Sequence, residues 1–167
     1  MDNYEKQLDK ARSSTVDYVY AVITNQLRAV AKSEAFDSSK KIDYDGFVCG
    51  YIYGASDAAF QVFDKSAESM KNWQLGAFEL FLRIFSDEPD GTENAAEDAM
   101  KILSESQKYL TSSSGNELWD KQFQLGVQQG GKEIKYYIKL DRNGELSADK
   151  QSLFSKMYLA QWLLQEF

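Results

Sequence analysis

Apolar residues recur three and four positions apart through almost the whole chain, and a single proline, Pro89, is there to interrupt them. Proline removes a backbone donor and clashes with the preceding turn, so a chain with only one leaves long helices unbroken. The pattern predicts an all-α protein, a six-helix bundle in which one domain, 1–167, shares a single core. The first helix would bury Val16, Val19, Tyr20, Ile23, Leu27 and Val30, with Ser14 as N-cap and Asp17 in its first turn, after a polar, loose helical arm from Asn3 to Arg12. A second begins near Asp43 or Asp45 and reaches about Asp64. A third starts at Ser66 and buries Met70, Trp73, Ala77, Leu80, Phe81 and Ile84, widened by Phe78, Leu82 and Phe85.

A Pro89-Asp90-Gly91 turn then divides the chain. Thr92 caps a fourth helix with the stripe Ala96, Ala99, Met100, Leu103 and Leu110, and a loop of Thr111 to Gly115 follows. The fifth helix carries Trp119, Phe123, Gly126, Val127, Gly130, Ile134 and Tyr137. Ile134, Tyr136, Ile138 and Leu140 also alternate, which leaves a short strand near 133–140 as the alternative to helix. Asp141 to Gly144 turns the chain, and Ser147 caps a last helix through Leu153, Phe154, Met157, Tyr158, Trp162 and Leu164, with Phe167 close to packed structure.

The two halves look alike. Phe47 to Asp57 overlays Phe123 to Glu133 with the pattern F-x-x-G-x-x-x-G-small-x-acid at an offset of 76, which points to two pseudo-twofold three-helix repeats, 14–88 and 92–167. Each pair, Gly50 with Gly54 and Gly126 with Gly130, leaves a notch on one helix face. A glycine inside a helix costs close to ~1 kcal/mol, so the notches need a reason, and a close helix crossing supplies it. Asp57 and Glu133 would then be equivalent carboxylates. Tyr51, Tyr53, Tyr136 and Tyr137 cluster around the same helices, either filling the helix interfaces or forming a protein-binding surface with those two acids.

The absence of histidine excludes Ser-His and Cys-His nucleophilic systems and histidine-bearing di-metal helices. Cys49 stands alone in an apolar run, which forbids an internal disulfide and suits an inert thiol. Lys41 to Ile52 and Lys139 to Lys150 superficially imitate calcium loops. Both put lysine at the first ligand position and lack the twelfth-position glutamate, so neither is a calcium site. No cofactor or metal is implied. A net charge of −7 disfavours direct nucleic-acid binding, and no run is apolar enough to span a membrane. The polar opening residues and the lone cysteine point to the cytoplasm, or to the periplasm had a signal peptide been removed.

The segment Cys49-Gly50-Tyr51-Ile52-Tyr53-Gly54-Ala55-Ser56-Asp57-Ala58 resembles the C-x-G-Y-I-x-G-x-x-D-A-like helix of small bacterial immunity proteins that neutralise type VI secretion amidase toxins. The resemblance implies a helical, non-enzymatic inhibitor of a secreted toxin, often a homodimer. It covers about ten residues; those proteins are shorter, carry a signal and use a disulfide, whereas this chain has one cysteine and a second half. The expected function is therefore a protein-binding or inhibitory module of bacterial or phage origin, of the immunity or counter-defence type. It would occlude a basic or apolar site on a toxin or defence effector with an acidic, tyrosine-bearing surface. The alternative is a small-molecule-binding protein or carboxylate-dependent enzyme with its site between the halves.

Overall fold

The computed structural model describes residues 3–34, 42–63, 69–87, 94–111, 115–146 and 150–165. Those residues form seven helices and no strand: α1 (Asn3–Ala31), α2 (Gly46–Phe63), α3 (Ser69–Ser86), α4 (Ala95–Thr111), α5 (Glu117–Arg142), α6 (Lys150–Lys156) and α7 (Tyr158–Gln165). The all-α expectation holds. The Pro89-Asp90-Gly91 turn, the capping roles given to Ser66, Thr92 and Ser147, the position of Phe167 and the side chains of Met70 and Leu110 lie outside the described residues.

α2 is the centre of the fold. An unbroken run from Gly46 to Ser56 is buried, and Ala58, Ala59 and Phe60 extend it, because α1, α3 and α5 all pack against this helix. Asp45 starts it: its Oδ1 accepts from the Val48 N–H at 2.9 Å, satisfying a donor that the first helical turn leaves orphaned. Around α2, α1 contributes Val16, Val19, Ile23 and Val30, and α3 contributes Ala77, Leu80, Phe81 and Ile84. Each fully buried large aliphatic or aromatic side chain contributes about 1.5–3 kcal/mol relative to exposure.

Three expectations are corrected. α1 is one helix from Asn3, so Ser14 is an exposed interior residue and not a cap. Arg12 Nε meets Glu79 Oε1 of α3 at 2.9 Å, which ties the arm to a neighbouring helix, and within α1 Thr15 Oγ1 donates to Ala11 O at 2.9 Å. The helical reading of residues 133–140 holds over the strand alternative, since Ile134, Tyr137 and Ile138 are buried at helical spacing while Lys135, Tyr136 and Lys139 point to solvent. In α4 the buried positions are Ala95, Ala99 and Ser106 rather than Ala96 and Met100; Met100 is 59% exposed. The last predicted helix is two helices, α6 and α7, parted at Met157.

That break has a local cause. The Tyr158 N–H donates to Glu133 Oε1 of α5 at 2.9 Å, and Met157 N reaches Phe154 O in a tightened three-residue turn. A carboxylate from another helix thus takes the donor that a continuous helix would keep. α5 itself is framed at both ends. Asn116 Oδ1 accepts from the Trp119 N–H, and at the far end Gly144, at φ +68°, closes a Schellman motif through Glu145 N to Leu140 O and Gly144 N to Asp141 O.

Candidate functional site

The four notch glycines all lie where α2 and α5 meet. A Cβ on Gly50 would fall closer than 3.0 Å to Phe123 O, one on Gly54 to Val127 O, one on Gly126 to Phe47 O, and one on Gly130 to Tyr51 O. Both series ascend together, so the helices run parallel. Adding 76 to Phe47 and Gly50 gives Phe123 and Gly126, and adding it to Tyr51 and Gly54 gives Val127 and Gly130; each contact is repeated with the helices exchanged. The glycine Cα–H bonds point at carbonyl oxygens of the other helix, the weak hydrogen bond typical of close small-residue crossings. Among the described residues, α4 packs on α3, and α1 packs on both α2 and α3.

One side of the crossing carries a buried polar network. Tyr51 Oη donates to Glu133 Oε1 at 2.5 Å and accepts from Gln26 Nε2 at 3.1 Å. With the Tyr158 N–H on the same carboxylate oxygen, the network ties α1, α2, α5 and α7 together. Burial holds the Glu133 carboxyl above the ordinary carboxylate range, against the lowering effect of its two hydrogen bonds. Burial, reinforced by the Glu133 charge, pushes the Tyr51 phenol well above its usual value. Gln26 is wholly buried, and its Oε1 has no partner among the described residues.

The structure separates the residues that the sequence grouped. Tyr51, Tyr53 and Tyr137 are core residues, exposed by 1%, 5% and 8%. Tyr53 packs edge-on to Trp73 and Tyr137 lies against Phe154. Only Tyr136 presents its ring, 59% exposed, so these tyrosines do not form one binding surface. Asp57 accepts from Gln61 Nε2 on its own helix at 3.1 Å, and Glu133 is engaged by Tyr51. The offset that carries Glu133 onto Asp57 carries Tyr51 onto Val127, so a valine stands where the counterpart of the Tyr51 hydroxyl would be.

Beside the network opens a cleft of about 500 Å³ between α5 and the α6–α7 corner, lined by Phe47, Leu125, Gln129, Lys156, Tyr158, Gln161 and Trp162. Phe47 is its floor and Trp162 stacks on it, ring centroids 4.3 Å apart and planes 22° from parallel. Trp162 is pinned there because its Nε1 donates to Asp45 Oδ2 at 3.0 Å. Asp45 therefore caps α2 with one oxygen and fixes the cleft wall with the other.

Sequence reasoning assigned Tyr158 and Trp162 to the core and gave no role to Leu125, Gln129 or Lys156. A signal was present: Leu118, Leu125 and Tyr136 stand 7 and 11 residues apart, which sets all three on one outward face of α5. They are 67%, 43% and 59% exposed, and Tyr158 across the cleft is 53% exposed. The same helices carry the exposed cations Lys132, Lys135, Lys139 and Lys156, and Lys121, which pairs with Glu117 at 3.1 Å.

The described residues hold no group of three or more metal-ligating side chains, and no described helix is long and apolar enough to cross a membrane. Cys49 is buried, and burial together with Asp45 and Asp43 holds its thiol protonated, far above its ordinary range. Compared with protein-family models, curated proteins and solved structures, the chain matches none.

Proposed function

We propose that this is a non-enzymatic protein-binding module of the immunity or counter-defence type, which occludes a partner through the outer face of α5 and the adjoining cleft. One observation carries the reading. Of the eight large hydrophobic side chains exposed among the described residues, four (Leu118, Leu125, Tyr136 and Tyr158) belong to α5 or to the start of α7, within a lysine-rich field. Exposed apolar side chains gathered on one face mark interaction sites far better than scattered ones do. We place an acidic surface on the partner, because Lys132, Lys135, Lys139 and Lys156 are exposed on these helices, whereas Lys121 is paired with Glu117. This reverses the charge sense read from composition.

The alternative of a ligand or enzyme site between the halves finds less support. The space between α2 and α5 is filled by backbone-to-backbone contact, and Asp57 and Glu133 have separate partners.

Photo-crosslinking in the native host tests the proposal. A benzophenone side chain at Leu125 or Tyr136 is expected to trap one discrete species, while the same group at the exposed Leu75 or Met100 traps none. Leu125→Asp should abolish the adduct at position 136 while leaving the thermal midpoint unchanged, because exposed substitutions usually change stability by less than about 0.5 kcal/mol. Equal labelling from all four positions, or survival of the adduct in Leu125→Asp, refutes the surface. An adduct of twice the chain mass would identify a second copy as the occupant and refute the acidic partner.

A further inference from the structure

Resting on that docking surface, we infer that the element it receives is an amphipathic helix of the partner, laid antiparallel to α5, with acids towards its N-terminus and leucine-like residues towards its C-terminus. The outer side of α5 carries a regular seam. Leu118, Leu125, Lys132 and Lys139 follow one another at intervals of seven, and Gln122, Gln129 and Tyr136 interleave them four residues on, so the spacing alternates four and three from 118 to 139. Five of these seven side chains are exposed and the two glutamines are half-buried. The opposite side of α5 is spent on α2, through Phe123, Gly126 and Gly130, and α7 meets α5 where the Tyr158 N–H reaches Glu133.

The period selects the backbone of the occupant. On a straight helix a seam at every 3.5 residues turns by about 20° per heptad, and a second helix crossing at about +20° follows it. Both helices then present one seam side chain for about every 5 Å of axis. An extended segment offers same-side residues only about every 6.5–7 Å, and falls out of step with the seam within about four side chains. The charges select the direction. Every charged residue of the seam is a lysine, and Lys132 and Lys139 both stand in its C-terminal half, whereas Leu118 and Leu125 stand in its N-terminal half. Neither lysine forms an ion pair among the described residues. Acids that answer them are most favourable in the first turns of a helix, where they face the positive end of its dipole, so the N-terminus of the occupant lies by Lys139. Its C-terminal half meets the leucines, and the cleft beside Leu125 and Gln129 takes a side chain from its middle. The seam of a second copy does not fit, since it has no acid to answer these lysines.

The test uses three synthetic twenty-two-residue peptides of one composition. The first carries Glu, Leu, Glu, Ala, Leu, Gln and Leu, in that order from its N-terminus, at positions spaced three and four, with Ala, Gln and Ser elsewhere. The second reverses the seam order, and the third sets the same residues in strict alternation. Affinity is read by fluorescence anisotropy, helix by circular dichroism, and direction by a nitroxide on the peptide N-terminus, which broadens nearby amide signals of ¹⁵N-labelled protein. The first peptide is expected to gain helix on binding, to bind about tenfold tighter than either of the others, and to broaden Lys139 but not Leu118. The Lys132→Glu, Lys139→Glu variant should bind it about tenfold more weakly and should prefer a version with lysine in place of both glutamates. No binding of the first peptide, equal affinity for all three, broadening at Leu118 in place of Lys139, or an unchanged charge preference in the variant overturns the inference. If crosslinking through Leu125 persists in that case, the docking surface stands with a different element seated on it; if it fails as well, both fall.

Discussion

Gly50→Ala is the sharpest perturbation this fold offers, because two opposing effects of known size meet at one atom. In a helix interior the change should be favourable, by up to ~1 kcal/mol, since alanine loses less backbone entropy than glycine. Here the new Cβ would fall closer than 3.0 Å to the O, C and Cα atoms of Phe123, all of them backbone. No rotamer can move them aside, so α2 and α5 must part. Overpacking of a fitted interface costs about 1–3 kcal/mol, and breaking each short Cα–H···O hydrogen bond adds about 0.5–1 kcal/mol. Parting the helices strains the reciprocal approaches at Gly54, Gly126 and Gly130 too, so the net expectation is destabilisation by about 2–3 kcal/mol. Urea unfolding followed by far-ultraviolet circular dichroism measures it, and a fall in thermal midpoint of roughly 5–10 °C should accompany it. Gly131→Ala is the internal control. Its Cβ would stand 3.4 Å from Gly54 O and 3.7 Å from Ala58 Cβ, ordinary van der Waals distances, so the propensity gain should survive as a stabilisation of ~0.5–1 kcal/mol. The Gly50→Ala, Gly126→Ala double variant should cost less than the two singles added, because the first has already parted the helices. A Gly50→Ala protein as stable as the parent would refute the close crossing outright.

Three further outcomes follow from the network and the buried thiol. Tyr51→Phe removes the hydroxyl that joins Glu133 to Gln26, leaving a buried amide without its acceptor, and should cost about 1–3 kcal/mol in the same unfolding assay; a neutral effect would mean that water replaces the hydroxyl. The carboxyl of Glu133 is raised above its ordinary 4.5 in the folded state, so folding favours its protonated form. Its contribution is therefore largest below about pH 4.5 and is lost as pH rises through the elevated folded value. The stability of Glu133→Gln relative to the parent should accordingly increase with pH across that window, and a pH-independent difference would contradict the assignment. Cys49 should resist a thiol-specific chromogenic disulfide in native buffer and react fully in concentrated guanidinium; rapid native labelling would show that α2 opens.

Helix content, the α2 and α5 segments and the glycine notches were legible because each depends on local spacing. The pattern F-x-x-G-x-x-x-G places a phenylalanine carbonyl three residues before the first glycine, and that carbonyl is what the opposite glycine meets. What the spacing could not give is which outward residues a neighbour covers. Tyr51 and Tyr53 differ by two positions and so point to different sides of α2, yet both are buried, because α2 has helices on several sides. The break at Met157 was equally unreadable. It depends on Glu133, 25 residues away from Tyr158, whose carboxylate competes for a single N–H. The same hydrogen bond turns the ring of Tyr158 from an expected core residue into a cleft wall.

The exchanged contacts of α2 and α5 make the unequal fates of the two helices informative. α2 is covered by α1 and α3 in addition to α5, and it has neither exposed aliphatic residues before Phe63 nor a lysine. α5 meets α2 through the same notches, but α4 packs on α3 and leaves the opposite side of α5 facing solvent. An uncovered helix face on a globular protein is normally polar throughout. This one keeps Leu118, Leu125 and Tyr136 among its lysines, and the hydrogen-bonded corner of α7 adds Tyr158 to the same side. The Tyr51–Glu133 bond is the point where the two helices cease to be equivalent, and it also sets the α7 corner that completes the cleft. The residue pair that breaks the symmetry of the core thus builds the one side on which we place the partner.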